Sequence, residues 1–203
     1  MFRILLTSNG FFTDQIKQQF LQLIDDQLEN KKATVITTAS QQKQDNKFAI
    51  KAKEDLIEMG FNLIDFTDIE FDQPDILRKY DVIYINGGNP FYLLYHLKKS
   101  GADLIIKKLA KQGVIFVGVS AGAMIFGQNI EVVRLFTPQM NNVQINDLSA
   151  IGLTNKIIFP HYDREDLFPD PLSRSIEDRL KVFESLTNYP IARLKDDEYL
   201  LVK

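Results

Sequence analysis

The 203-residue sequence predicts an α/β fold built on a three-layer, doubly wound and mostly parallel sheet. Two observations predict it. Short apolar runs rich in β-branched residues, typical of strands buried on both faces of a parallel sheet, alternate along the chain with segments of helical spacing. The run at residues 114–119 also leads directly into residues 118–122, Gly-Val-Ser-Ala-Gly, a pattern typical of a sharp turn from a buried strand into a helix.

Each element of this fold rests on a local pattern. The apolar runs predict strands over residues 3–8, 33–38, 61–66, 81–85, 114–119 and 156–159. Amphipathic spacing predicts helices over residues 16–28, 48–59, 92–99, 102–111 and 172–186. Thr13 is expected to cap the first helix, Gly60 to end the second, and Pro74 to open a short helix before the strand at 81–85.

The chain after residue 127 has a less regular pattern. Residues 130–145 are predicted to form short strands and turns, and residues 164–171 a loop over one face of the sheet. Residues 191–194 and 199–202 are predicted to form a terminal hairpin around the charged segment 195–198. No repeat, linker or change in composition marks a boundary, so we expect a single domain over residues 1–203.

Composition excludes several classes of function. A formal net charge of −3 gives no electrostatic reason to expect binding to nucleic acid or to an anionic membrane. The absence of cysteine excludes disulfides, thiolate metal sites and a cysteine nucleophile. No apolar run approaches the roughly 20 residues of a membrane-spanning helix, and the amino terminus enters a strand pattern without the apolar region of a signal peptide. We therefore expect a cytoplasmic protein.

Ser120 is the candidate nucleophile. In a strand–helix elbow its hydroxyl projects from the carboxyl end of the strand, and the backbone N–H of Ala121 faces any oxygen that becomes anionic beside it. The alternative is a turn rich in small residues that has no chemistry, or one that binds an anion.

His161 is the candidate general base, because it closes the predicted strand at 156–159 and precedes a loop, where it could reach Ser120. His96, the other histidine, lies in the middle of a predicted helix beside lysines and is expected at the surface. Gly87 and Gly88 follow another buried strand, and their backbone is the natural source of a second oxyanion donor. A tight turn into the next helix explains the same two glycines.

These motifs together resemble the S51 serine peptidases, the aspartyl dipeptidase (dipeptidase E) group, which is related to cyanophycinases and has the class I glutamine amidotransferase-like (flavodoxin-like) fold. The motifs are Asn86-Gly87-Gly88-Asn89 with Leu93-Leu94, the GVSAGA of residues 118–123, and Pro160-His161-Tyr162. The resemblance covers nearly the whole chain in order and spacing. It implies Ser120 as nucleophile, His161 as base and Gly88 with Ala121 as oxyanion donors, with Gly87 and Asn89 beside them.

The triad acid has several candidates. The resemblance offers one position soon after the elbow, which falls among residues 133–136, where no carboxylate stands. It offers another in a carboxyl-terminal segment, where Asp196 occupies the acid position. Asp163 and Asp147 are spatially possible alternatives, and a solvated turn explains Asp196 equally well.

Substrate selectivity is where the sequence departs from the resemblance. Aspartyl dipeptidases carry an arginine in a T-R-E-x-R-I helix, suited to binding a substrate carboxylate as a planar fork. In the corresponding segment Ile176 stands in place of that arginine, and Arg174 or Arg164 is the possible substitute. Strict selectivity for an amino-terminal aspartate is therefore not expected. Asp163 or Glu165 could hold the free α-amino group of a substrate.

The sequence thus predicts a serine exopeptidase that hydrolyses short peptides through an acyl-enzyme on Ser120. Two alternatives stay open: an esterase or other acyl hydrolase whose triad is Ser120, Asp147 and His161, and a non-catalytic protein that binds small molecules on the same fold. No metal or organic cofactor is implied. The expected partner is a short peptide, with neither nucleic acid nor membrane, and the expected assembly is a monomer or a homodimer.

Overall fold

The computed structural model of the protein describes residues 2–24 and 28–203. Within these residues the strands are β1 (Arg3–Thr7), β2 (Lys32–Ile36), β3 (Leu63–Thr67), β4 (Val82–Ile85), β5 (Ile115–Val119), β6 (Ile157–Phe159), β7 (Ile191–Arg193) and β8 (Tyr199–Val202). The α-helices are α1 (Asp14–Leu21), α2 (Lys47–Glu58), α3 (Pro90–Ser100), α4 (Ala102–Lys111), α5 (Ala121–Met124), α6 (Val133–Phe136) and α7 (Ile176–Thr187).

Six strands form one sheet in the order β3-β2-β4-β5-β1-β8, and every pair except the antiparallel β1–β8 pair is parallel. The predicted α/β class with a mostly parallel sheet is therefore confirmed. The register places Thr7 of β1 opposite Val119 of β5, and Ile85 of β4 opposite Gly118. The carboxyl ends of β1, β4 and β5 therefore lie side by side in the middle of the sheet, which is where ligands bind in open α/β folds.

The core has one apolar layer on each face of the large sheet. Helices α1 and α2 cover one face, where Phe20 and Leu56 are fully buried. Helices α3, α4 and α5 cover the other, where Leu97 and Ile106 are fully buried. A third cluster joins α6 and α7 to the small parallel sheet of β6 and β7.

No helix in the described ranges has the length and the apolar character needed to cross a membrane.

The predicted terminal hairpin is wrong. β7 pairs in parallel with β6, whereas β8 crosses to the large sheet and pairs antiparallel with β1. The reason is that β8 is apolar on both sides: Leu200 and Val202 pack on one face of the sheet, and Tyr199 and Leu201 on the other. Such a strand gains more from the free edge of a two-sided sheet than from a short hairpin.

The segment predicted as short strands and turns is also different. Between residues 130 and 145 it forms α6 and a 3₁₀ helix at Pro138–Met140, and the β-bridge in this part of the described chain joins Asn129 to Ser149. A helix forms here rather than a strand because Val132, Val133 and Phe136 lie on one helix face, which is buried in the third cluster.

The ends of two helices differ from their predicted positions. The first helix follows the Thr13 cap but ends at Leu21, while Leu28 begins a 3₁₀ helix; residues 25–27 of the predicted helix lie outside the described residues. α7 begins at Ile176 rather than residue 172, because the hydroxyl of Ser175 accepts a hydrogen bond from the N–H of Asp178 and caps the helix there.

Candidate active site

Ser120 sits on a strained turn between β5 and α5. Its φ of 51° lies in the left-handed region, which non-glycine residues rarely occupy. Its N–H donates to the carbonyl of Thr7, so the turn is tied to β1 (3.0 Å). A Cβ on Gly122 would overlap the carbonyl oxygen of Ile85, which is why the position after the turn must be glycine. The glycine at position 122 is therefore required by the close approach of β4 to the elbow.

His161 faces Ser120 from the loop after β6. Its Nε2 lies 3.0 Å from Ser120 Oγ. The residue has a φ of 58° and is held in this conformation by Ser8: the N–H of His161 donates to Ser8 Oγ (3.0 Å), which itself donates to the carbonyl of Leu194 (2.8 Å). Ser8 was not among the predicted site residues. Its only signal in the sequence is a small polar residue at the carboxyl end of a buried strand.

Asp196 lies behind His161. Its Oδ1 is 2.6 Å from His161 Nδ1, and its Oδ2 accepts a hydrogen bond from Arg164 Nη1 (3.2 Å). The backbone N–H of Asp196 donates to Asp163 Oδ1 (3.1 Å). Asp163 therefore contacts the backbone of Asp196, and Arg164 contacts the carboxylate of Asp196.

The other carboxylates proposed from sequence are placed elsewhere. Asp147 pairs with Lys98 at 2.6 Å and with Ser149 on an exposed surface, and these hydrogen bonds lower the pKa of Asp147 to about 2. Glu165 accepts hydrogen bonds from the N–H of Ile176 at the start of α7. The histidine that faces Ser120 is thus paired with Asp196 and not with Asp147.

Two backbone N–H groups in the segments around Ser120 form no hydrogen bond within the described residues. These groups belong to Gly88 and Ala121. Gly88 has a φ of 142°, and a Cβ there would overlap the carbonyl oxygen of Ala39. A Cβ on Gly87 would lie 3.0 Å from Ser120 Cβ, so this loop passes directly over the nucleophile.

Asn89 uses both ends of its side-chain amide within the protein. Its Oδ1 accepts from the N–H groups of Phe91 and Tyr92 and so caps α3, while its Nδ2 donates to the carbonyl of Met140 (2.7 Å). It therefore links the glycine loop at residues 87–88 to the 3₁₀ helix at Pro138–Met140.

His96 was expected at the surface, and this expectation is wrong. The residue is 8% exposed and packs against the rings of Tyr92 and Tyr95, at centroid distances of 4.4 and 5.0 Å. Burial lowers the pKa of His96, so its neutral form is favoured. The helix face that carries it points to protein rather than to solvent.

Across residues 2–24 and 28–203, no group of three or more His, Asp or Glu side chains could hold a metal ion.

Two cavities meet at Ser120. The first, which we call the open cleft, has a volume of about 490 Å³ and lies between the loop at residues 8–14 and α2. Lys17 and Lys51 are among its lining residues. The second, which we call the apolar chamber, has a volume of about 180 Å³ and is walled mainly by Met124, Val133, Phe136, Met140, Phe159 and Phe168. Gly88, Ser120 and His161 line both cavities.

A serine on a strand–helix elbow, in hydrogen-bond contact with a histidine that is paired with a carboxylate, is the framework of a serine-type hydrolase on an α/β sheet. The chain belongs to peptidase family S51, whose family model matches residues 4–203. It is a peptidase, and the resemblance seen in its sequence motifs is confirmed.

Several bacterial proteins are similar to this chain. An uncharacterized peptidase of Listeria innocua is 28% identical over 179 residues, 85% of each chain. An uncharacterized peptidase of Listeria monocytogenes is 33% identical over 140 residues, 67% of this chain and 68% of the relative. The peptidase E of Streptomyces coelicolor is 29% identical over 131 residues, 63% of this chain and 51% of the relative.

Solved structures share the fold. A crystal structure of a candidate peptidase E from Listeria monocytogenes aligns with a TM-score of 0.77 and 28% identity, over 100% of this chain and 95% of the other. The structure of a peptidase from an acI-B1 actinobacterium aligns with a TM-score of 0.70 and 18% identity, over 99% and 83% of the two chains. The second likeness is one of fold alone.

Proposed function

We propose that this protein is a serine exopeptidase that hydrolyses short peptides through an acyl-enzyme on Ser120. The observation that carries the proposal is the unbroken line of side chains from Ser120 Oγ to His161 and on to Asp196, with separations of 3.0 and 2.6 Å. Membership of peptidase family S51 supports a peptide as the substrate.

The line of side chains supports a direction of proton transfer from Ser120 to His161. When Nδ1–H of His161 donates to Asp196, the lone pair of Nε2 faces the hydroxyl of Ser120. Ser120 Oγ then attacks the scissile carbonyl carbon while His161 takes the hydroxyl proton. The carbonyl oxygen becomes anionic in this step, and the proposed donors that stabilise it are the N–H groups of Gly88 and Ala121.

The second half of the reaction reverses these roles. His161 gives its proton to the leaving amine, the C–N bond breaks, and the acyl group remains on Ser120 as an ester. A water molecule then attacks the ester carbonyl and its proton passes to His161. His161 returns this proton to Ser120 Oγ as the ester C–O bond breaks, which releases the carboxylic acid product and restores Ser120. Asp196 stabilises the imidazolium that forms in each half and stays ionised throughout.

The proposal is tested with Ser120→Ala. The variant is expected to fold and to lose peptidase turnover by roughly 10³-fold or more, as in other serine triads. A fluorophosphonate probe is expected to label the native protein and to leave the variant unlabelled. Ser185→Ala is the matched control, because Ser185 lies exposed on α7 and its hydroxyl bonds only to a backbone carbonyl of its own helix.

The result that would overturn the proposal is near-normal peptidase turnover by purified, folded Ser120→Ala protein. A native protein that hydrolyses a panel of esters but none of the matched dipeptides would instead support the acyl hydrolase alternative.

A further inference from the structure

We propose that the apolar chamber binds the side chain of the substrate's amino-terminal residue, and that it selects neutral apolar residues such as leucine, methionine and phenylalanine. This inference rests on the proposed serine exopeptidase function and names its substrate class.

The composition of the chamber is the first argument. His161 is the only ionisable side chain among its lining residues, and most of the others are aliphatic, aromatic or methionine. Moving a carboxylate or an ammonium group from water into such surroundings is unfavourable unless a partner of opposite charge is present. An apolar side chain instead gains from leaving water.

The positions of the nearby arginines are the second argument. Arg164 donates to Asp166 and Asp196, and Arg174 donates to Asp170. Neither lines the chamber. Both guanidinium groups are therefore engaged by carboxylates of the protein.

Arg179 contacts two residues of the chamber wall but is not itself among the lining residues. Its guanidinium lies over the ring of Phe136 at 4.2 Å from the ring centroid, and its Nη2 donates to the carbonyl of Phe168 (2.6 Å). The residue is 4% exposed, and no carboxylate among the described residues pairs with it. Ile176, one turn earlier on α7, is fully buried in the same apolar cluster as Phe136. The cation that would hold a substrate carboxylate is thus absent from the chamber surface.

The charge of a short peptide indicates which of its two residues binds in each cavity. The carboxyl-terminal residue of a short peptide carries a carboxylate, and the open cleft is lined by the cations Lys17 and Lys51, together with Asp14 and Asp55. Both lysines are held at the wall of the cleft by Asp55, at 2.8 and 2.7 Å. The chamber offers no such group. The leaving residue therefore fits the cleft, and the side chain of the acyl residue fits the chamber.

The walls of the chamber are fixed by hydrogen bonds to its surroundings. Asn89 holds Met140 through its backbone carbonyl, and Arg179 holds Phe168 in the same way. The chamber is therefore formed before substrate binds, which limits the cost of ordering it on binding.

The selectivity is tested with dipeptides that share a carboxyl-terminal alanine and differ in the first residue. We expect kcat/KM for leucine, methionine and phenylalanine to exceed that for aspartate and lysine by at least about tenfold, which corresponds to roughly 1.4 kcal/mol. A tenfold preference for aspartate would overturn the inference. If Arg179→Gln then abolished that preference, Arg179 would be identified as a cation that turns into the chamber.

A pair of variants tests the location. Leu167 is 44% exposed at the rim of the chamber, and Leu172 is 73% exposed in the same loop but lines neither cavity. Leu167→Arg is expected to raise the ratio of kcat/KM for aspartate over leucine by about tenfold, because it supplies the missing cation. Leu172→Arg is expected to leave the ratio unchanged. An unchanged ratio in folded Leu167→Arg protein, or equal changes in both variants, would place the selective pocket elsewhere.

Labelling of Ser120 separates this inference from the proposed function. If the native protein reacts with the fluorophosphonate probe and hydrolyses dipeptides without favouring apolar residues, the inference about the chamber fails and the proposed function stands. If Ser120 is not labelled and no dipeptide is hydrolysed, both fail.

Discussion

The backbone N–H of His161 donates a hydrogen bond of 3.0 Å to the hydroxyl of Ser8, a residue that lies 153 positions earlier in the chain. Ser8 follows β1 and is 1% exposed. Because its hydroxyl also bonds to Leu194, one small side chain links the central sheet, the loop that carries His161 and the segment that leads to Asp196.

Ser8→Ala is expected to lower both stability and turnover. The change leaves the N–H of His161 without its acceptor, at a cost on the order of 1–3 kcal/mol, and it frees the strained φ of His161. The carbonyl of Leu194 keeps the hydrogen bond that it accepts from the N–H of Tyr162. Urea unfolding and kcat measure the two effects. Ser100→Ala is the control, because it removes hydroxyl bonds to the backbone at the end of α3 and should affect stability alone. Equal kcat losses in both variants would contradict a positioning role for Ser8.

Asp196→Asn is expected to lower kcat by roughly 10³-fold or more while the fold is retained, because an amide stabilises the wrong tautomer of His161 and cannot stabilise its charged form. Asp147→Asn, which changes a carboxylate on the exposed ion pair with Lys98, should leave kcat within about twofold. Steady-state kinetics on one dipeptide compares the two. The reverse order of effects would assign the acid to Asp147.

Two substitutions at Asn89 separate its two contacts. Asn89→Ser keeps a capping oxygen for α3 but loses the bond to Met140, so stability should be largely retained while the preference for large apolar residues falls. Asn89→Ala loses both and should also cost about 1 kcal/mol in the free energy of unfolding. Thermal unfolding and kcat/KM for leucine and alanine dipeptides measure these effects. Selectivity unchanged in both variants would show that the wall at Met140 is held by other contacts.

The ion pairs between Arg193 and α7 predict a pH-dependent stability. Hydrogen bonds from Arg193 lower the pKa of Glu184 below its ordinary value. The folded protein therefore binds this proton less readily than the unfolded chain does. Its stabilising contribution is fully present above the unfolded pKa of about 4.3 and is lost as the pH falls through the lowered folded value.

Glu184→Gln measures this contribution. The urea midpoint of the variant should fall below that of the native protein at pH 7, and the difference should shrink as the pH falls through the lowered pKa of the folded state. Glu54→Gln, on the exposed side of α2, should change the midpoint little across this range of pH. A difference that grows towards acid pH would contradict the stated direction of the pKa shift.

The sequence by itself determined the elements of the fold and the position of the elbow. These depend largely on residues close in the chain: β5 is an unbroken apolar run, and a Cβ on Gly118 would overlap the carbonyl oxygen of Gly122 within the turn itself. The same local logic placed α4 at residues 102–111 and the Thr13 cap of α1. Membership of family S51 followed from motifs that are themselves local.

Only the tertiary structure determined which strands pair and which side chains from distant segments come into contact. The sequence does not show whether β8 pairs with β7 or with β1, because an apolar strand can pair with either. In the structure β8 pairs with β1 at the edge of the large sheet. Equally, Asp147, Asp163 and Asp196 are alike as residues, and the contact of Asp196 with His161 exists because β6 and β7 pair and bring their following loops together. Ser8 and the apolar chamber depend on segments far apart in the chain, and the distance between such segments is set by packing, which no local pattern records.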